Sequence, residues 1–484
     1  MVINWKLIIN TIGRFLLFET IFLLISLVVA IGYGEHDVYA FLWTAIITLV
    51  LGLISYYSTK NSNINLGKRE GYVVVSIAWV IFSFFGCLPY LFSGAIPSFT
   101  DAFFETMSGF TTTGSSILNN IEELPHGILF WRSLTQWLGG MGIIVLFLAV
   151  LPRLGVGGRE LFIAEVPGPS PDKLKPSIKA TARRLWGLYL GFTVAEATLL
   201  TIGGMEIFDA VNHSLTTLAT GGYSTKQASI GAYPSPFIQY VITLFMFIAG
   251  VNFTLSYATV TGKVKKLWKD EEFRWYLGIT VLFTMLVAFG LTFTIGVNGF
   301  EQNFRDSLFT VVSILTTTGY ATADYILWAP HIALLVFVLM FFGGSGGSTS
   351  GGVKIVRVVL LIKNSYYEIV RLLHPNAVIP VRFNKQSVKN STIDNIMAFV
   401  ILYAIVFVVS IVILSFWMSG LDSTLSAVAT SLGNIGPGFG HIGPTENFSN
   451  LADGAKWFLS FLMLLGRLEL FTVLVLFTPA FWKR

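Results

Sequence analysis

The stretch Asp101-AFFETMSGFTT-Thr113-Gly114 decides the architecture, because it recurs three more times along the chain. The recurrences are Asp209-AVNHSLTTLAT-Gly221-Gly222, Asp306-SLFTVVSILTT-Thr318-Gly319 and Asp422-STLSAVATSLGN-Ile435-Gly436. Each opens on an Asp, runs about a dozen residues and ends at a glycine flanked by small or polar residues. They lie roughly 100 residues apart, each between hydrophobic stretches long enough to cross a bilayer. Self-similarity of this kind implies one pore assembled from four covalently joined quarters.

Composition supports a membrane setting. Hydrophobic residues make up 54% of the 484 residues and charged residues 12%, with a mean hydropathy of +0.72. A soluble chain carries about 25% charge. The first apolar stretch, from about residue 7 to 31, is too long for a signal-peptide core and has no small-residue cleavage site, so it reads as a retained helix. The single cysteine, Cys87, excludes an intrachain disulfide.

Stretches of about 20 apolar residues number about ten, centred near residues 20, 47, 82, 142, 192, 248, 284, 345, 405 and 467. Threading them alternately collects most Lys and Arg on one face: Lys60, Lys68 and Arg69, then Arg153 to Arg184, Lys263 to Arg274, Lys354 to Lys389, and Lys483 with Arg484. The other face carries Glu122, Glu123, Glu301 and Glu446. The net charge of +5 is then topology under the positive-inside rule, with both termini cytoplasmic and no need of nucleic acid.

The reading is an all-α polytopic membrane protein: a transmembrane hairpin at 1–65, then span–re-entrant segment–span units at 66–160, 175–268, 270–370 and 390–484. Repetition reaches single residues. Leu218-ATGGYST-Thr225 lies over Leu315-TTTGYAT-Thr322, which makes Gly222 rather than Gly221 the counterpart of Gly319. The fourth quarter, Leu432-GNIGPGF, keeps only the leucine and the glycine.

An ion leaving water needs oxygens in place of its hydration shell, and backbone carbonyls on four converging strands can supply them. Glycine permits the positive φ that such carbonyls require and lets four chains approach closely. The candidate filter is therefore Thr112, Thr113 and Gly114; Thr220, Gly221 and Gly222; Thr317, Thr318 and Gly319; and Asn434, Ile435 and Gly436. Re-entrant helices entering from outside would aim their negative dipole ends inward and favour a cation. Carbonyls without a ring of carboxylates suggest a monovalent one. The opening Asp residues are expected to act as helix caps.

Two further features fall below the filter. Gly343, Gly344, Ser345, Gly346, Gly347, Ser348, Thr349, Ser350, Gly351 and Gly352 interrupt an apolar run, and glycine costs a helix about 1 kcal/mol relative to alanine. A broken helix at membrane depth must be buried in protein or line a wet cavity, so the stretch reads as a mobile gate. Arg467 lies inside the last span, where a central Arg costs at least about 2.5–3.5 kcal/mol. Packed against the glycine loop it would repel cations.

With these residues, and with Ala102-FFETMSGFTTTG, Trp137-LGGMGIIVL, Leu154-GVGG, His374-PNAV, Gly466-RLELFTVLVLF and Phe477-TPAFW, the whole chain closely resembles the TrkH/TrkG/KtrB family of bacterial potassium uptake proteins. The extra N-terminal hairpin is like the TrkH branch. The resemblance implies a potassium uptake protein of the bacterial inner membrane, dimeric with one pore per subunit, on a cytosolic nucleotide-binding TrkA-type ring. The family's filter glycines then correspond to Gly114, Gly222, Gly319 and Gly436, its gating loop to Gly343–Gly352 and its pore arginine to Arg467. In related plant transporters a serine at the first glycine accompanies sodium selectivity; Gly114 favours potassium. A competing reading couples potassium to sodium or protons; a proton relay would use intramembrane carboxylates, and that only Glu196 and Glu469 are convincing ones weakens it. The six histidines show no metal-ligand spacing, and nothing argues for an enzyme or an organic cofactor.

Overall fold

A computed structural model describes residues 3–60, 67–142, 178–294 and 299–483. The expected end of the first unit, the Leu154 motif and most of the basic run from Arg153 lie outside them. The fold is that of an all-α polytopic membrane protein. Helix α1 (Trp5–Tyr33) starts where the Asn4 side chain accepts from Leu7 N and stops at Gly34 in the left-handed region. It packs along α2 (Val38–Ser58), with Thr20 and Thr48 hydroxyls 2.8 Å apart. At about 1.5 Å per residue such helices exceed the roughly 30 Å of a hydrocarbon core.

Next come α3 (Lys68–Gly86), α4 (Leu88–Ser93), α5 (Phe99–Phe110), α6 (His126–Gly140), α7 (Ile178–Ile202), α8 (Ile207–Leu218), α9 (Pro236–Ala249), α10 (Phe253–Val260) and α11 (Val264–Lys269). They are followed by α12 (Glu271–Thr294), α13 (Phe300–Leu315), α14 (Pro330–Leu339), α15 (Ile355–Leu373), α16 (Asn390–Leu414), α17 (Leu421–Gly433), α18 (Asp453–Arg467), α19 (Phe471–Leu474) and α20 (Pro479–Trp482). Six helices among the described residues are long and apolar enough to cross a membrane: α1, α2, α3 running on into α4, α7, α12 and α16. Their outer faces leave Val28, Ile54, Phe289 and Val408 exposed, as lipid-facing residues are.

Two of the expected continuous spans are broken. The chain turns by 112° between α9 and α10 and by 111° after α18. At the first bend a β-carbon on Gly250 would meet the Tyr276 hydroxyl and Thr316. Asn252 then restarts the helix, accepting from Thr254 N at 2.8 Å. At the second, Glu469 and Leu470 adopt φ of 55° and 49°, a region that non-glycine residues rarely occupy. The third break, across Gly343–Gly352 between α14 and α15, was expected. A hairpin of two-residue strands, Arg382–Phe383 with Gln386–Ser387, is a small addition to an otherwise helical chain.

The four repeated stretches form α5, α8, α13 and α17. At 12 to 16 residues these helices reach about 18–24 Å, too short to cross, and the polar residues of their later turns are buried inside the protein. All four stop in the same way. Thr113 N, Gly221 N, Thr318 N and Ile435 N each bond the carbonyl five residues earlier, at 2.8, 2.9, 2.8 and 2.9 Å. The residue before each, Thr112, Thr220, Thr317 or Asn434, has a φ between 54° and 57°. This is the Schellman arrangement, which ends a helix and reverses the chain.

Candidate ion filter and gate

Beyond each helix stop the four glycines take positive φ: 83° at Gly114, 76° at Gly222, 80° at Gly319 and 99° at Gly436. Their surroundings close a ring. A β-carbon on Gly114 would run into the carbonyl oxygen of Gly221, one on Gly222 into that of Thr318, one on Gly319 into that of Ile435, and one on Gly436 into that of Thr113. Every one of these approaches is under 3.0 Å. Each quarter thus leans on the next, and the fourth returns to the first. Glycine is required here twice, for conformation and for space.

The divergent fourth quarter keeps this geometry because Asn434 supplies the left-handed turn. Asparagine tolerates that conformation better than the β-branched threonines of the other quarters, which hold it at about 1–3 kcal/mol of strain each.

Different side chains fix the same backbone. Four residues after the opening Asp, Glu105 accepts from Ile117 N at 2.9 Å and His213 Nε2 meets Ser224 Oγ at 2.9 Å. In the third quarter Ser313 donates to Tyr320 O at 2.7 Å, and in the fourth Ser426 accepts from Phe439 N at 2.9 Å. The matched tyrosines cross between quarters: Tyr223 donates to Glu105 O at 2.7 Å, and Tyr320 to His213 O at 3.2 Å.

Arg132, which the sequence reading missed, is buried beside Glu105, with Nε 2.7 Å from Oε1. It also donates to Ser224 O at 2.8 Å and stacks over Tyr223 at 3.6 Å. Gln136, also missed, donates to Gly221 O at 2.7 Å and accepts from Tyr223 N at 3.0 Å. No sequence spacing points to either of them.

The opening Asp residues are not caps. Ser98 caps α5, and Asp306 lies well inside α13. Asp209 and Asp306 instead accept from the threonines that end the matched motifs, Thr225 at 2.7 Å and Thr322 at 3.1 Å. Asp101 pairs with Lys456 at 2.5 Å. The helices begin earlier than the Asp residues suggested, so Asp209 and Asp306 face the returning strand and Asp101 faces α18.

Below the ring, Arg467 Nη1 donates to Thr349 O at 2.8 Å and to Thr112 Oγ1 at 3.1 Å; Nη2 donates to Gly139 O at 2.5 Å and Gly140 O at 2.8 Å. Four oxygens from two other repeats hold this half-buried cation and offset the cost of its partial burial. Glu469 pairs with Arg357.

The glycine loop is held on several sides. Gly351 N donates to Thr317 Oγ1 at 2.7 Å, and Ser345 N to Gly250 O at 2.8 Å. Asn252 donates to Gly346 O, and Gly346 N to Glu272 Oε1, both at 2.6 Å. Gly344 N bonds Ser350 Oγ at 2.9 Å, and Lys354 reaches Ser350 O. Ser348 Oγ meets Ser350 Oγ at 2.9 Å, and Phe253 N donates to Gly347 O at 3.1 Å. Gly343 N bonds Val353 O at 2.8 Å, while Gly352 takes a φ of 64°.

The family model of TrkH, described as a cation transport protein, matches residues 38–484. The Trk system potassium uptake protein TrkH of Escherichia coli strain K12 is 39% identical over 485 residues, covering 99% of this chain and 100% of that protein. TrkG of the same organism is 35% identical over 460 residues, 94% of each. The crystal structure of the potassium transporter TrkH from Vibrio parahaemolyticus superposes with a TM-score of 0.89 at 36% identity, covering 99% of this chain and all of that one.

Proposed function

The chain belongs to the TrkH family of cation transport proteins, which are transporters and not enzymes, and from that footing we propose that it takes up potassium through a passive, gated pore. The observation that carries the proposal is the closed ring of glycine–carbonyl approaches running from Gly114 through Gly222, Gly319 and Gly436. Four short helices stop in one way around that ring, with their carbonyl ends toward it, and carbonyl oxygens suit a cation stripped of water. In this reading Thr112–Gly114, Thr220–Gly222, Thr317–Gly319 and Asn434–Gly436 hold potassium as cargo. About ten spans and four re-entrant helices surround a single pseudo-fourfold axis.

Gly343–Gly352 and Arg467 form the gate. The loop hangs from filter residue Thr317, and Arg467 from filter residue Thr112, so moving either one disturbs the mouth of the filter from below. A homodimer in the bacterial inner membrane, with cytoplasmic termini and a nucleotide-binding TrkA-type ring beneath it, completes the proposal. The Trk-system names of the relatives support that partner.

Coupling to sodium or protons is the second reading. Glu19 and Glu196 favour it, because both are buried and neither carboxylate oxygen of Glu19 has a hydrogen-bond partner among the described residues. They stand behind the short helices, however, Glu19 near Thr106 and Phe110 across Gly86 and Glu196 beside Thr217. Glu105 and Glu469 are ion-paired. Purified protein in planar bilayers under a potassium gradient separates the two. Unitary currents reversing at the potassium potential are expected; fixed-stoichiometry flux that follows pH or sodium, without unitary currents, sinks the passive pore.

A further inference from the structure

We propose that Gln136 is a specificity-determining residue of the filter, standing in for the side chain that position 221 lacks. The inference rests on the potassium-pore reading and concerns how one quarter of that filter is shaped. In the first and third quarters the residue before the filter glycine is a threonine. Its hydroxyl pairs with the hydroxyl two positions earlier, Thr113 with Thr111 and Thr318 with Thr316, each at 2.8 Å. In the fourth quarter fully buried Ile435 fills the same place against Gly433. The second quarter has Ala219 and Gly221, and so carries no wedge of its own behind the backbone.

The space is nevertheless occupied. The three atoms nearest to a β-carbon built on Gly221 are Cδ, Oε1 and Nε2 of Gln136, all under 3.0 Å away. Gly221 has no positive φ, so its lack of a side chain answers to space rather than conformation. Gln136 comes from α6, the inner helix of the preceding repeat, and is completely buried. Its carboxamide bridges Gly221 O at 2.7 Å and Tyr223 N at 3.0 Å.

Gly221 O is also the oxygen that faces Gly114 in the ring. Gln136 therefore fixes where that carbonyl stands and engages one of its lone pairs, which sets both the width and the donor strength of the second quarter. A sequence that departs from the Thr-Thr-Gly pattern is compensated by a residue from another repeat.

The test is the potassium-to-sodium permeability ratio of the full-length protein in liposomes, read from reversal potentials. Gln136→Leu keeps the bulk and removes both bonds; the ratio is expected to fall about tenfold while potassium current persists. Gly221→Thr drives a side chain into the carboxamide and is expected to lower the ratio or abolish current. Gln136→Ala combined with Gly221→Thr vacates that space, and the ratio is expected to return toward the parent value. A parent-like ratio in Gln136→Leu overturns the proposal, as does a double variant no better than Gly221→Thr alone. The ratio is read only from conducting protein, so a lower folded yield does not move it. A parent protein that passes no potassium would sink the pore reading instead.

Discussion

Arg467 Nη1 lies 2.8 Å from the carbonyl oxygen of Thr349, so the last inner helix is tied directly to the glycine loop of the third repeat. The same guanidinium reaches Thr112 and the two carbonyls of Gly139 and Gly140. Its charge stands beside Thr112 of the proposed filter, and its bond to Thr349 O holds the loop. Arg467→Ala removes both effects and should raise basal potassium flux in liposomes by about tenfold or more, each factor of ten being about 1.4 kcal/mol. Arg467→Lys keeps the charge but loses the planar fork that serves four acceptors, and should fall between the two. Flux in Arg467→Ala equal to the parent would count against the barrier.

Thr317 gives a second handle on the loop. Its hydroxyl accepts from Gly351 N at 2.7 Å, while its backbone holds a φ of 57°. Thr317→Val keeps the β-branched shape and the filter backbone but removes the acceptor, leaving a buried amide unpaired at about 1–3 kcal/mol. The closed state is weakened, and open probability in single-channel records should rise with little change in unitary conductance. A lower conductance with unaltered gating would place the hydroxyl's role in the filter instead.

The ring sets a strict contrast among glycines. Gly222→Ala would press a methyl group onto the Thr318 carbonyl in a left-handed backbone, and potassium flux should be lost. Gly187 lies in α7, where a β-carbon would meet nothing within 4 Å. Gly187→Ala should leave flux intact and hold thermal stability equal or slightly higher, since alanine favours helix by about 1 kcal/mol. Equal flux in the two variants would contradict the ring.

The register in which Gly222 replaces Gly221 was legible because the matched leucine, threonine, glycine and tyrosine all have repeated jobs. Leu218 and Leu315 are buried, Tyr223 and Tyr320 cross to the preceding quarter, and Thr225 and Thr322 reach Asp209 and Asp306. The bends after Ala249 and Arg467 were not legible. One rests on a single Gly250 crowded by Tyr276, the other on Glu469 and Leu470 forced to positive φ; packing between repeats imposes both, and local propensity does not encode them. The Asp residues mislead for a related reason: charge marks a helix start only loosely, and Ser98 and residues further upstream open these helices. Arg132 and Gln136 gave no signal because both act across repeats, on Ser224, Gly221 and Tyr223 of the second.

Arg132 and Glu105 carry the last prediction. Arg132 is the only cation placed against Glu105 by the ion pairs among the described residues, and it joins Ser224 O and the face of Tyr223. Through these contacts it clamps the first short helix to the returning strand of the second quarter. Arg132→Leu leaves the Glu105 carboxylate buried and uncompensated, a loss of about 3–5 kcal/mol. Glu105→Gln with Arg132→Met removes both charges while the amide can still accept from Ile117 N, and breaking a pair costs more than replacing it. Melting of the detergent-solubilised protein should therefore fall most in Arg132→Leu and recover in large part in the double variant. If the double variant melts as low as Arg132→Leu, the loss lies in the stacking and the Ser224 bond, and the charge pair contributes little to holding the two quarters together.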